Sequence, residues 1–512
     1  MGQMIISFDL GTGGNKTSLY SAEGQCLAST FEPYPTHYPQ VGWHEQAPED
    51  WWLAVVTSTR KLLANNEVDP AEILTISISG HSLGAVPVDR EGRLLRKTTP
   101  IWSDIRAQDQ VKDFFSGIDP DNWYLTTGNG FPAACYTLFK VMWYRDEEAE
   151  MFARIHKILG TKDYVNFRLT GIMRTDPSYA SGTGIFNLVS NHYEDRFIEA
   201  SGLRADLWPE IVPSTAVLGS LTHEASQELG LTPATLVVCG GVDNSCMALG
   251  ARNTRDGRVY TSLGSSAWIA VSSNHPVLDS RFKPYVFTHV IPGMFTSAVS
   301  IFSAGTTYNW IKDIFCQDLS EEAENSGQDV YVLMNREAAR APVGANKLLF
   351  NPSLAGGTSQ DPNIHLRGGF VGLDLKHNRG DLIRAVMEGI AMNLRLRLDL
   401  LRKYTRLEDE ILFVGGGAKS RFYLSIFADV FNSRIIKSNV DQDAAALGAA
   451  ALAAVGCGLW EDFSRIDEIH HTEDVLEPDP ENTRIYEQLL PVFTQATHSL
   501  AGLSAALHEM EI

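Results

Sequence analysis

Apolar and polar residues alternate along two short stretches near the N-terminus, and this pattern predicts a pair of β-strands. The first stretch is MIISFDL and the second is NKTSLYS, with GTGG between them. Apolar residues recur at helical spacing in AACYTLFKVMWYRDEEAEMFARI and in DLIRAVMEGIAMNLRLRLDLLRKY. Strand-like and helix-like stretches alternate in both halves of the chain, which predicts α/β domains.

The same strand, glycine turn and strand recur in the second half, in RVYTSLGSSAWIAVSS. There Ser262 occupies the position that Asp9 occupies in the first copy. Two such hairpins, one opening each half, predict an internal repeat. If they face each other, the pair could hold one polyphosphate from both sides.

The length of the chain predicts two domains, because a single hydrophobic core stops growing at roughly 250–300 residues. The stretch TLVVCGGVDNSCMALGA reads as a strand, two glycines and a helix that close the first domain. We therefore place the domains at 1–250 and 251–512, with a helical tail at the C-terminus. The Ala-rich run that starts at Ala444 is too short for a bilayer and predicts a buried helix.

Composition narrows the classes of partner. The net charge is −20, with 62 acidic and 42 basic residues, so nucleic acid and anionic membranes are not expected. The six cysteines form no CxxC pair, which argues against a zinc site and against a disulfide framework. The N-terminus lacks the basic region of a signal peptide, and we expect a cytoplasmic protein. The sequence leaves a homodimer open.

The glycine turn at residues 11–14 is not one of the two common phosphate loops. A Walker A loop requires glycine before the lysine, and here Asn15 precedes Lys16. A Rossmann turn requires a third glycine and a following helix, and this stretch has neither. Backbone N–H groups of such a turn can still bind an anion, with help from Thr12 and Lys16. Asp9 would then require a divalent cation beside the phosphates. The alternative to a phosphate site is an ordinary hairpin, in which the glycines only permit the backbone angles of the turn.

Asp243 follows a predicted strand at the end where α/β sheets bind their ligands. There it could act as a general base in phosphoryl transfer, which otherwise needs mainly positioning and charge neutralisation. It could equally be an N-cap for the helix that follows, worth about 1 kcal/mol. The local sequence leaves both interpretations open.

An ordered set of motifs over residues 4–455 resembles the FGGY family of carbohydrate kinases, and most closely its xylulokinases. The motifs are FDLGTGGNKT, WHEQAPEDWW, ISGHSLGAVPVD, IWSDIRA, GGVDNSCMALGA, TSLGSSAWIAV, VMEGIAMNL and VGGGAKS. The resemblance implies two actin-like, ribonuclease H-like domains with the active site in the cleft between them. It also implies ATP-dependent transfer of a phosphate to a primary hydroxyl of a ketopentose, converting D-xylulose to D-xylulose 5-phosphate.

The resemblance implies roles for individual residues. Asp243 matches the catalytic base, and Asp9 matches the carboxylate that organises Mg²⁺. The implied nucleotide contacts are Thr12, Gly13, Gly14, Lys16, Gly264, Ser265, Gly305, Asn309, Gly416, Gly417 and Arg421. The implied sugar contacts are His81, Ser82, Leu83, Trp102, Asp104, Asn244 and Asp243 itself. Arg106, close to Asp104, is expected to be structural.

One turn departs from the family pattern. Xylulokinases commonly have Gln-Met-His between two glycines, whereas this chain has His81, Ser82 and Leu83 there. Either His81 supplies the imidazole from a neighbouring position, or Leu83 narrows the pocket for another substrate. Ribulose, other ketoses and glycerol-like polyols are the alternatives that follow.

Two functions outside this class use similar motifs. An actin-like nucleotide switch would hydrolyse ATP slowly and independently of sugar, but it has no evident use for the SGHSLG and WSDIR stretches. A sugar-binding regulator without catalysis would keep its function if Asp243 were replaced by Asn.

Overall fold

The computed structural model describes residues 3–510. Its strands are β1 (Met4–Leu10), β2 (Gly14–Ser21), β3 (Cys26–Pro33), β4 (Glu45–Gln46), β5 (Ile73–Gly80), β6 (Val86–Val88), β7 (Thr99–Pro100), β8 (Lys157–Leu159), β9 (Arg174–Thr175), β10 (Phe186–Asn187), β11 (His192–Tyr193), β12 (Glu210–Ile211), β13 (Val217–Ser220), β14 (Leu236–Val238), β15 (Gly241–Val242), β16 (Val259–Leu263), β17 (Ala267–Ser273), β18 (Tyr285–Thr288), β19 (Phe295–Ile301), β20 (Leu349–Asn351), β21 (Gly369–Val371), β22 (Glu410–Val414), β23 (Arg434–Ser438) and β24 (Thr472–Leu476).

The α-helices are α1 (Pro48–Asn65), α2 (Gln108–Gly117), α3 (Pro120–Thr127), α4 (Thr137–Glu147), α5 (Ala149–Phe152), α6 (Thr161–Thr170), α7 (Pro177–Ala180), α8 (Asp195–Ser201), α9 (His223–Leu229), α10 (Asp243–Gly250), α11 (Gly305–Phe315), α12 (Gln317–Ser326), α13 (Val330–Ala338), α14 (Arg379–Tyr404), α15 (Arg421–Phe431), α16 (Ala444–Gly456), α17 (Arg465–Ile469) and α18 (Pro480–His508). None of the helices in the described residues is both long and apolar enough to cross a bilayer.

The chain divides into two compact units, each made of several segments. The first comprises Met1–Asp256, Ser272–Ser297 and Asp443–His470, and the second comprises Gly257–Val271, Ala298–Gln442 and His471–Ile512. The domain boundary predicted at residues 250 and 251 stays a prediction. Two segments beyond residue 250 belong to the first unit.

The packing of α16 explains why the segment from Asp443 joins the first unit. A Cβ on Gly250 of α10 would lie 1.7 Å from the backbone oxygen of Ala444, and one on Gly448 would lie 1.9 Å from that of Cys246. Glycine at both positions therefore lets α10 and α16 touch through their backbones. All residues of 444–454 are buried, which confirms the predicted buried helix.

The first unit is built around a sheet with the strand order β13-β14-β5-β1-β2-β3, and β15 also pairs with β5. β1 is antiparallel to β2 and parallel to β5. Phe8 and Ile78 on these strands are fully buried, as is Trp51 of α1 in the same apolar cluster. The predicted N-terminal hairpin is thus confirmed, with β1 between β5 and β2 inside the sheet.

The second unit repeats this arrangement in a sheet that includes the run β17-β16-β22-β23-β24. β16 is antiparallel to β17 and parallel to β22, as β1 is to β2 and β5. The two hairpins turn over residues 11–13 and 264–266. The internal repeat predicted from the sequence is therefore present in the fold.

Candidate active site

The two carboxylates predicted to be functional lie at the carboxyl end of the same strand, β5. Ser79 on β5 is opposite Asp9 of β1 on one side and opposite Gly241 of β15 on the other. Asp243 comes two residues after Gly241, as the first residue of α10. The sheet register thus brings Asp9 and Asp243 to the edge where α/β sheets bind ligands.

Asp243 is not the N-cap of its helix. Val242 occupies that position, and Oδ1 of Asp243 accepts a hydrogen bond from the adjacent Asn244 N–H at 2.8 Å. Burial raises the pKa of Asp243 to about 7, the Asn244 N–H opposes this shift, and the charge of Asp9 adds to it. A carboxylate with this pKa is suited to general base chemistry near neutral pH.

Asp9 is held by β5 and lies near two further charges. Its Oδ1 accepts a hydrogen bond from the Ser79 hydroxyl at 2.8 Å. Burial raises the pKa of Asp9, the Ser79 hydroxyl and the Lys16 charge lower it, and the charge of Asp443 raises it further. Asp9, Asp243 and Asp443 therefore form a local concentration of negative charge.

Lys16 forms an ion pair with Asp443, the residue that precedes α16. The sequence predicts that Lys16 contacts a phosphate, and it gives no sign of this carboxylate partner. Since both side chains are partly exposed, the pair is accessible to a phosphate that could displace Asp443.

The turn of the first hairpin is partly open. Thr12 and Gly13 are exposed, and Oγ1 of Thr12 accepts a hydrogen bond from Trp102 Nε1 at 2.9 Å. Gly14 is buried, and a Cβ there would lie 2.6 Å from the Glu32 backbone oxygen. Trp102, predicted as a sugar contact, thus lies against the predicted phosphate turn.

The divergent turn after β5 is buried, and His81 faces core groups. Its ring nitrogens lie 3.2 Å from Thr161 Oγ1, and its ring meets Trp51 edge to face at 5.5 Å between centroids. Burial lowers the pKa of His81 to about 4, so the ring is neutral at neutral pH. Ser82 and Leu83 are buried as well.

Leu83 adopts a left-handed backbone conformation with φ of 62°, which is uncommon for a residue with a branched side chain. Its backbone oxygen accepts a hydrogen bond from Lys140 Nζ at 2.8 Å. Its side chain lies in an apolar cluster that includes Phe139 and Tyr136. The sugar contacts predicted for this turn remain predictions.

Asp104 is fully buried, and both of its carboxylate oxygens accept hydrogen bonds. Arg106 donates to both of its carboxylate oxygens, Nε to Oδ1 at 2.9 Å and Nη2 to Oδ2 at 2.7 Å, and the His44 N–H donates to Oδ2 at 2.7 Å. Arg106 also contacts Glu45 and lies 3.9 Å above the ring of Trp43. This geometry gives Asp104 a structural role and offers no free oxygen to a sugar.

In the second unit, the N-terminal end of α11 is hydrogen-bonded to the turn 264–266. The Gly305 N–H donates to the backbone oxygen of Gly264 at 2.9 Å, and the Ala304 and Thr306 N–H groups donate to that of Ser265 at 2.9 and 3.1 Å. A Cβ on Gly305 would lie 2.5 Å from the Gly264 oxygen. Glycine is therefore required at position 305 for this close approach.

A cavity of about 520 Å³ opens beside this turn. Three tyrosines line the cavity, and their rings are stacked. The ring centroids are 5.7 Å apart for Tyr308 and Tyr331 and 6.1 Å apart for Tyr308 and Tyr423. Its other lining residues are Leu263, Gly264, Ser265, Ala304, Gly305, Asn309, Asp329, Val332, Asn335, Gly416, Gly417, Lys419, Ser420 and Gln442. Such a cavity, aromatic with a few polar groups, is typical of a small-molecule site.

The structure brings all the predicted nucleotide contacts of the second unit except Arg421 to this cavity. Position 417 has room only for glycine, since a Cβ there would lie 2.5 Å from the Leu263 side chain. Arg421 is mostly exposed and forms an ion pair with Asp474 of β24. It lines a separate surface depression with Phe422.

Several residues of these sites were not predicted from the sequence. Asp443 has no local signal, because its partner Lys16 is 427 positions away. The stacked tyrosines come from α11, α13 and α15, and tyrosine in a helix more often indicates packing. Lys140 is fully buried, with Nζ donating to backbone oxygens of Leu83, Ile101 and Cys135, and burial lowers its pKa to about 8.

The residues around Asp9 fit a hydrated Mg²⁺. Within residues 3–510, no three His, Cys, Asp or Glu side chains are arranged to hold a metal ion. Mg²⁺ does not need such a set, because it is usually bound by one or two carboxylates together with substrate phosphates and water. The negative charge shared by Asp9, Asp243 and Asp443 would favour a cation here.

Comparison with known proteins gives a consistent set of relatives. Models of the N-terminal and C-terminal domains of the FGGY family of carbohydrate kinases match residues 4–250 and 259–457. Xylulose kinase of Bacillus subtilis is 31% identical, over 98% of both chains. Gluconokinase of Bacillus licheniformis is 26% identical over 98% of this chain and 96% of its own. Ligand-bound xylulose kinase from Lactobacillus acidophilus has a TM-score of 0.88 at 26% identity, covering 99% of this chain and 100% of that one.

Proposed function

Since the chain belongs to the FGGY family of carbohydrate kinases, we propose that it transfers the γ-phosphate of ATP to a primary hydroxyl of a ketopentose. The first candidate substrate is D-xylulose, and the product is then D-xylulose 5-phosphate. One observation above all supports this proposal: Asp243 lies beside Asp9 at the carboxyl end of β5, and its pKa is about 7. The relatives named xylulose kinase support the choice of sugar.

Asp243 acts as the general base in this proposal. It accepts the proton of the sugar hydroxyl as that oxygen attacks the γ-phosphorus, the bond from this phosphorus to the bridging oxygen breaks, and ADP leaves. Asn244 lies next to Asp243 as a sugar contact. A base near the pH of the reaction is efficient because it is ionised and still able to hold a proton. Its second carboxylate oxygen is available, since among the described residues the group's only hydrogen bond comes from the Asn244 N–H to Oδ1.

Each unit offers groups that suit a nucleotide: a hairpin turn in the first, and a hairpin turn and the cavity in the second. The exposed turn residues Thr12, Gly13, Gly264 and Ser265 offer backbone and hydroxyl groups to phosphates. The stacked tyrosines and the glycines of 416–417 would lie against adenosine. Asp9 would hold Mg²⁺, which when bound neutralises phosphate charge.

Gluconate is a second candidate, because relatives named gluconokinase match nearly the whole chain. Gluconate carries a carboxylate, and a site for it needs a cation or several donors. In the turn 81–83 the only basic side chain is His81, which is neutral at neutral pH. Lys140, behind this turn, already donates to three backbone oxygens. These features favour a neutral ketose.

A panel of substrates tests the proposal. ADP release would be measured with D-xylulose, D-ribulose, glycerol and D-gluconate at equal concentrations. We expect the highest kcat/KM with D-xylulose. A higher kcat/KM with gluconate or a polyol would show that D-xylulose is the wrong substrate, while the proposed kinase activity would stand. ADP release that is independent of every acceptor would instead favour a nucleotide switch and reject the proposal.

A further inference from the structure

The short segment 176–180 consists of α7 and its N-cap Asp176, and it contacts β15, the strand that directly precedes Asp243. Oγ of Ser178 accepts a hydrogen bond from the Val242 N–H at 3.0 Å. Val242 directly precedes Asp243 and is the N-cap of α10. The next residue of the segment, Tyr179, donates its hydroxyl hydrogen to the His81 backbone oxygen at 2.9 Å. One segment thus holds the backbone at Asp243 and at the predicted sugar turn.

Asp176 fixes the direction of the Ser178 hydroxyl. Its Oδ2 accepts hydrogen bonds from Ser178 Oγ, from the Ser178 N–H at 3.0 Å and from Ser214 Oγ at 2.7 Å. A serine hydroxyl has one hydrogen to donate. Because Ser178 gives that hydrogen to Asp176, its oxygen lone pairs are left to accept from Val242.

A buried ion cluster anchors Asp176 in turn. Lys162 Nζ lies 3.2 Å from Asp176 Oδ1 and 2.7 Å from Asp163 Oδ1, and the Lys162 and Asp176 side chains are fully buried. Burial by itself lowers the pKa of Lys162, but the two carboxylates outweigh it and hold that pKa well above its usual value. Removing one partner of such a cluster leaves an uncompensated charge in the interior.

We propose that Ser178 and Asp176 are positioning residues for the Asp243 carboxylate. Among the described residues no side chain donates a hydrogen bond to that carboxylate, whose donor is the backbone N–H of Asn244, so its direction depends on the backbone around Asp243. The cluster of Lys162, Asp176 and Ser178 holds this backbone through a single N–H group. The inference deepens the proposed function, in which Asp243 is the base.

Ser178→Ala, compared with Ser214→Ala, tests the inference. Both variants remove one donor to Asp176 Oδ2, but only the first frees the Val242 N–H. We expect kcat to fall about 10- to 100-fold in Ser178→Ala, since a misplacement of about 1 Å can have that effect, with the KM for ATP within about twofold of wild type. Ser214→Ala should lose similar thermal stability and keep kcat within about twofold.

A second measurement does not depend on turnover. Hydrogen exchange of the peptide that contains Val242 should accelerate in Ser178→Ala and not in Ser214→Ala. Equal exchange in the two variants overturns the positioning role, even if the wild-type enzyme proves to phosphorylate no sugar. Equal losses of kcat in both variants overturn it as well. If Ser178→Ala does not fold, Ser178→Cys replaces it, because a thiol of similar size is only a weak acceptor for the Val242 N–H; the same difference from Ser214→Ala is expected in kcat and in exchange.

Discussion

Replacing Asp243 by Asn will lower kcat by about 10²- to 10⁴-fold, the range usual for loss of a general base. Asn has the size of Asp and can still accept the hydrogen bond from the Asn244 N–H, but it cannot take a proton at neutral pH. The fold and the cavity of the second unit, which we propose binds ATP, should therefore be unchanged. The measurement is kcat with saturating ATP and D-xylulose, together with the Kd for ATP from calorimetry.

Asp195→Asn is the matched control for this variant. Asp195 is also the first residue of a helix, α8, but it is exposed. Its replacement should leave kcat within about twofold of wild type. A kcat for Asp243→Asn within about tenfold of wild type, with ATP still bound, would contradict the assignment of the base.

Replacing Asp104 by Ala will lower the free energy of unfolding by about 3 kcal/mol, the lower end of the range for breaking a buried ion pair by removing one partner, because Arg106 keeps Glu45 as a second carboxylate partner. The variant leaves the buried Arg106 without its bidentate partner and the His44 N–H without its acceptor. Urea denaturation followed by tryptophan fluorescence measures the loss.

Asp109→Ala is the control for this second prediction, because Asp109 forms an exposed pair with Lys112. Exposed pairs contribute about 0–1 kcal/mol, so this variant should unfold almost as wild type does. If Asp104→Ala unfolds like Asp109→Ala and instead raises the KM for the sugar, Asp104 contacts the substrate and the structural role is wrong.

The hairpins could be predicted from the sequence because their signals are local. Alternating residues on either side of the GTGG and LGSS turns define β1, β2, β16 and β17 without reference to distant parts of the chain. The glycine at position 305 could be predicted as a nucleotide contact only through the family resemblance. The structural reason for this glycine, the close approach of position 305 to the Gly264 oxygen, becomes visible only when two elements that are distant in the chain pack together.

Other features depend on contacts between distant residues. The segment from Asp443 joins the first unit because glycines on α10 and α16 allow close packing, and no local pattern reveals which helix α16 will meet. The direction of the His81 ring is set by its contacts with Trp51 and Thr161, which are both far from it in the sequence. The pKa of Asp243 likewise results from burial, which a linear sequence does not show.

The dependence of kcat/KM for the sugar on pH, measured between about pH 5 and 9 in the wild type and in Asp243→Asn, tests the role of Asp243 most directly. Only the ionised carboxylate can accept the proton, and its pKa is about 7. The wild-type value should therefore fall about tenfold per pH unit below that point, while the residual activity of the variant shows no such limb. A wild-type profile that stays flat across this range, or the same limb in both proteins, would contradict the account.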